Sequence, residues 1–108
     1  MDHFLAIFVT AGSEQEGAKI GRTLVEEGLV ACANIVPHIR SVYRWKGQIR
    51  EEGETLLIMK SREELFEKIN HRIQELHSYE VPEVTAVRLA EGDPAYLQWI
   101  KQVTDTGD

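Results

Sequence analysis

Ala31-Cys32-Ala33-Asn34-Ile35-Val36-Pro37, followed closely by Ile39-Arg40-Ser41-Val42-Tyr43-Arg44-Trp45-Lys46-Gly47, is the passage on which the fold turns. A strand is read from Leu29 to Val36. Pro37 lacks the amide that a ladder needs, so a bulge, kink or sheet edge belongs there. Beyond it the extended pattern resumes. Ile39, Ser41, Tyr43 and Trp45 fall on one face, with Arg40, Val42 and Arg44 on the other. Lys46-Gly47 makes a hairpin turn, glycine accepting the positive φ. The return strand starts at Gln48, is expected to bend at Glu51-Glu52-Gly53-Glu54, and continues as Thr55 to Lys60. A hairpin this long outruns the sheet of so small a domain and requires a surface to pack against.

Working outward, Phe4 to Thr10 reads as a buried strand that Ala11-Gly12 ends. Ser13-x-x-Glu16 is a capping box. The helix behind it aligns Gly17, Ile20, Gly21, Leu24 and Val25 on one side. Two glycines there cost roughly 1 kcal/mol each relative to alanine, which close approach to a sheet would offset. Gly28 ends the helix in the left-handed conformation. Ser61-x-x-Glu64 reads as a second capping box, before an apolar stripe of Leu65, Phe66, Ile69, Ile73 and Leu76. Pro82 keeps Tyr79 to Glu83 a loop, Val84 to Leu89 forms a strand, and Asp93-Pro94 starts a last helix. That helix turns Tyr96, Leu97, Ile100 and Val103 to the protein, and Thr104 to Asp108 is a polar tail.

The order is β-α-β-β-α-β-α with no linker or repeat. It predicts one domain, residues 1–108, of the α+β class. The expected architecture is a ferredoxin-like split β-α-β sheet with helices on one face and a long β-hairpin extension.

A formal net charge of -6 argues against nucleic acid, because phosphate neutralisation needs clustered basic residues. Arg44, Lys46 and Arg50 are the only local group. A single cysteine, Cys32, rules out an internal disulfide. The first ten residues carry no basic leader and only a short apolar run, so neither secretion signal nor membrane span is expected, and a cytoplasmic location follows. Cys32, between two alanines, reads as a small buried apolar residue. His3, His38, His71 and His77 have no zinc-site spacing, and no Cys-x-x-Cys or His-Glu-x-x-His is present. His71 and Glu75 stand one helical turn apart, as in a surface hydrogen bond.

The hairpin passage, taken with His77-Ser78-Tyr79-Glu80-Val81-Pro82-Glu83, resembles the CutA family of divalent-cation tolerance proteins over nearly the whole chain. The resemblance implies a compact homotrimer, built like the PII signalling proteins, in which three sheets meet around an axis. It implies a non-enzymatic binding or signalling module that responds to metal ions, copper in particular. In family members with an assigned copper site, the ligands are a first-strand cysteine and two adjacent histidines before Tyr-x-x-Pro-Glu. Val9 and Leu76 occupy two of those positions here, and His77 keeps the third and is the metal candidate. Cys32, Trp45, Lys60, Tyr79 and Glu83 match the family pattern as a ligand-binding set in inter-subunit clefts. An aromatic wall, an ammonium, a phenol and a carboxylate suit a small polar ligand. The same residues also suit a subunit interface in which Trp45 and Tyr79 fill space and Lys60 pairs with Glu83.

Three other functions were weighed. An acylphosphatase-like enzyme needs a phosphate cradle with an arginine after the first strand, and that turn here reads Ala11-Gly12-Ser13-Glu14. RNA binding needs exposed aromatics flanked by basic residues, whereas Phe4, Phe8 and Met59 lie within apolar runs. The third is a trimeric scaffold for a partner protein.

Overall fold

A computed structural model describes residues 2–104. The elements are β1 (Phe4–Ala11), α1 (Glu14–Glu26), β2 (Cys32–Trp45), β3 (Gln48–Arg62), α2 (Phe66–Leu76, entered through a tight turn at Glu63–Leu65), β4 (Val84–Arg88) and α3 (Pro94–Val103). The strands form one sheet in the order β2-β3-β1-β4, every pair antiparallel. This is the expected split β-α-β arrangement.

Apolar spacing sets the packing. Leu5, Ile7 and Val9 of β1 and Leu57 and Met59 of β3 face Ile20 and Leu24 of α1 and Ile69 and Ile73 of α2. The two helical glycines have their compensation: a Cβ on Gly21 would come 2.9 Å from Ala33 Cβ, and one on Gly17 3.1 Å from Thr55 Cγ2. The helix therefore lies as close to the sheet as backbone allows. Ser13 caps α1 by accepting the Glu16 amide, and Gly28 closes it at φ 74°. Arg72 on α2 reaches back to Glu27 with a 2.9 Å hydrogen bond, tying the two helices at their ends.

Several local expectations are corrected. Val25 points to solvent, because the glycine stripe and Leu24 already fill the contact with the sheet. Leu29 to Ala31 belong to the connection, and β2 starts at Cys32. Glu51 to Glu54 do not bend, since β3 pairs with β2 without a break from Gln48 to Glu54. Ser61 is no helix cap: it lies in β3, buried, and donates to the Leu29 carbonyl at 2.6 Å. On α3 only Ile100 is buried, while Tyr96 and Val103 stay largely exposed. Asp93 does cap that helix, accepting from Ala95 and Tyr96. Of the polar tail, Asp105 to Asp108 fall outside the described residues.

Pro37 marks a bulge, as its chemistry demands. Pairing shifts between Val36 and Ile39, and His38 takes φ 64°. Past it, β2 and β3 continue as a two-stranded arm to a turn with positive φ at both Lys46 and Gly47. That conformation matches the right-handed twist of the strands. The arm stretches the molecule to 43 × 26 × 22 Å.

Candidate functional site

The arm carries a periodic face. Ser41, Tyr43 and Trp45 pair across the ladder with Glu52, Arg50 and Gln48, so all six project to one side. Against this side lies the loop from Tyr79 to Glu83 that joins α2 to β4. Between them is a cleft of about 650 Å³, lined by Tyr43, Trp45, Glu52, Glu54, Tyr79 and Glu83 among others.

The loop is held by its own polar residues. Tyr79 donates its hydroxyl to Glu54 Oε2 at 2.6 Å. The Tyr79 amide donates to His77 Nδ1 at 3.1 Å. An amide can only donate, so Nδ1 is the unprotonated nitrogen, and Nε2–H donates to the Thr10 carbonyl at 2.7 Å. Glu16 takes the amides of Ser78 (2.8 Å) and Gly12 (3.2 Å). Partial burial works to raise the Glu16 carboxyl, but the hydrogen bonds from Ser78 and Gly12 outweigh it and hold the group below its ordinary range. Burial, then the bond to Glu54, pushes the Tyr79 phenol well above its ordinary range. Tyr43 donates to Glu52 at 2.7 Å, and that bond raises its phenol too.

The residues singled out in the sequence separate into two groups. Trp45, Tyr79 and Glu83 line the cleft. Cys32 and Lys60 are ladder partners elsewhere on the sheet. Lys60 lies six residue steps along the strand from Glu54, about 20 Å. Cys32 is half-exposed at the head of β2, not fully buried as expected, and its Sγ lies 3.7 Å from the Tyr96 hydroxyl. The contact with Cys32, aided by burial, raises that phenol. Lys60 and Glu83 do not pair within one chain.

His77 is buried with both ring nitrogens engaged. To ligate a metal, the ring must exchange one of these partners for it. Val9 is wholly buried in the core. Among the described residues, no group of three His, Cys, Asp or Glu side chains is gathered to hold an ion. The donors among the described residues therefore do not assemble a metal centre within a single chain.

In the sequence, Glu52 and Glu54 read as part of a bend, Tyr43 as part of the hairpin face and Glu16 as a capping residue, and none of the four is assigned to the site. The signal for the first two was available: Gln48, Arg50, Glu52 and Glu54 alternate in step with Trp45, Tyr43 and Ser41. Reading Glu51 to Glu54 as a bend hid it.

Sheet order, helix placement and projecting arm define a ferredoxin-like α+β domain with a cleft on its arm. The CutA1 divalent ion tolerance protein family matches residues 5–103, and the chain belongs to that family. Tolerance of divalent ions is the role that membership carries. The divalent-cation tolerance protein CutA of Thermus thermophilus is 43% identical over 98 residues, covering 91% of this chain and 95% of its own. A solved structure of the divalent cation tolerance protein from that organism, 42% identical, superposes with a TM-score of 0.91 over 94% of this chain and 98% of the other. The chloroplastic CutA of Arabidopsis thaliana is 40% identical over 93% of this chain, which spans 55% of that protein's length. The periplasmic CutA of Archaeoglobus fulgidus is 34% identical, with TM-score 0.90 over 97% of this chain and all of the other.

These relatives overturn the expected cytoplasmic location. One of them is periplasmic and another chloroplastic. The same packed domain serves in different compartments, so the residues that build it carry no address. No helix among the described residues is long and apolar enough to cross a membrane.

Proposed function

We propose that the chain is a non-enzymatic, homotrimeric binding module for divalent-cation tolerance, whose clefts lie between subunits and take a metal ion, copper included, or a small polar ligand. One observation carries this reading. The matched set is divided within a single chain, with Trp45, Tyr79 and Glu83 in the cleft and Cys32 and Lys60 about 20 Å along the strand. A ring of copies whose arms lie across their neighbours brings the two halves together. The exposed arm supports it. Val42 and Ile49 are each 63% exposed on its back, a pair of apolar side chains that a neighbouring sheet would cover. His77 joins as a metal ligand only by releasing Thr10 or the Tyr79 amide, so the cleft is the preferred position for the occupant.

Light scattering at micromolar concentration, with calorimetric titration of copper(II), tests this. A trimer is expected, with copper affinity falling about fivefold or more for Glu83→Gln and for Cys32→Ser alike. A stable monomer, or a loss with Glu83→Gln while Cys32→Ser is silent, overturns the shared cleft. Loss with His77→Ala alone makes the imidazole the ligand instead.

A further inference from the structure

Glu54 is 7% exposed, the one glutamate among the described residues that is more than nine-tenths buried. Its recorded hydrogen-bond partner is a phenol, Tyr79, and no basic nitrogen of the described residues lies within 4.0 Å of it. A carboxylate withdrawn from water loses far more hydration than one neutral hydrogen bond returns. Positive charge is missing at this point.

The rest of the cleft is selective in the same sense. Four carboxylates line it, Glu52, Glu54, Glu80 and Glu83, against a single guanidinium, Arg50. Arg50 stands 3.9 Å from Glu52, and Lys46, at the rim, 3.9 Å from Glu80. Glu54 and Glu83 are left without a cation, and one ammonium from Lys60 of a neighbouring copy would satisfy only one of them. This balance disfavours anions. The walls are aromatic, and the Trp45 ring already holds an ammonium, Lys46 Nζ lying 5.7 Å from its centroid. A bare divalent metal would use neither wall and finds no three-donor group among the described residues of one chain.

Resting on the cleft reading above, we infer that its occupant is a small organic cation. A primary ammonium or guanidinium contacts Glu54, and the aliphatic remainder lies along Tyr43 and Trp45. Putrescine is the probe, titrated into the full-length protein by calorimetry, with uncharged 1,4-butanediol as the control and copper(II) as the competing class. Putrescine is expected to bind and butanediol to stay silent. Glu54→Gln is expected to weaken putrescine at least tenfold, and Trp45→Ala about threefold.

Should Glu54→Gln fail to fold, Trp45→Ala at the arm's end and the butanediol control still decide the question. Equal binding of diamine and diol, or diamine binding indifferent to both substitutions, overturns the inference. Copper binding at the cleft without diamine binding also overturns it, while leaving the cleft reading intact. No binding of either class sinks both.

Discussion

The body and the arm of this domain are made of the same two strands, yet they are stabilised differently. From Thr55 onward β3 is sandwiched, with Leu57 and Met59 fully buried beneath α1 and α2. Before Thr55 the same strand meets only β2, the loop at Tyr79 and solvent. Arg40–Glu51 at 2.7 Å and the Tyr43–Glu52 hydrogen bond are surface contacts there, each worth little. Burial supplies most of a domain's stability, and the arm has almost none to offer. Its order rests on ladder hydrogen bonds, a matched turn and the loop clipped at Tyr79. The neighbouring copy proposed above would supply the burial that the arm lacks.

That contrast can be broken from the body first. Ile73→Ala, which empties a fully buried site in α2, is expected to cost about 2–5 kcal/mol in chemical denaturation. In the arm the largest effect comes from backbone alone. Gly47 sits at φ 79° with nothing near its would-be Cβ, so Gly47→Val should cost about 1–2 kcal/mol through conformation and not through contact. Tyr79→Phe removes the hydroxyl joining the loop to Glu54 and should cost about 1 kcal/mol. Hydrogen exchange at the Ser78 and Tyr79 amides should then quicken while the amides of β1 stay protected. Uniform quickening would mean that loop and body are one cooperative unit.

Acid sharpens the same division. Glu16 has its carboxyl lowered in the folded state, so its stabilising contribution is complete above the unfolded value, near 4.5, and is lost as pH falls through the folded value. Wild type should therefore exceed Glu16→Gln in melting temperature at pH 7, and the gap should close below pH 4.5. A gap that is constant with pH would assign the loss to packing. The smallest effect belongs to the arm's back. Val42→Ser should change the stability of one folded chain by less than about 0.5 kcal/mol, while lowering association seen in light scattering. Unchanged association would remove Val42 from any interface.

Most of the fold was legible because its signals are local. Ser13, Gly28, Asp93 and the turn at Lys46-Gly47 each act on neighbours in the chain, and the stripe Leu65, Ile69, Ile73 is periodic. Ser61 misled because the same side chain that can cap a helix can also donate to a carbonyl 32 residues away, and burial decided for the second. The site was only partly legible. Trp45, Tyr79 and Glu83 do converge, but Glu54 and Glu16 owe their importance to partners 25 and 62 residues distant. The alternation of β3 puts Glu54 on the cleft side, but its burial against a phenol 25 residues away is set by the tertiary fold.

Three residues of β2, from Val36 to Ile39, advance against two of β3, from Leu56 to Glu54. This odd count shifts the arm's parity. Even-numbered β2 residues (Cys32, Asn34, Val36) share a side of the ladder with odd-numbered ones (Ile39, Ser41, Tyr43, Trp45). Deleting His38 alone would remove the bulge, leaving Pro37 opposite Thr55 and Ile39 still opposite Glu54, so the tyrosine and tryptophan would keep their side of the ladder. The extra residue therefore sets the bend and twist of the arm, while pairing with an unbroken β3 decides which of its faces meets the loop.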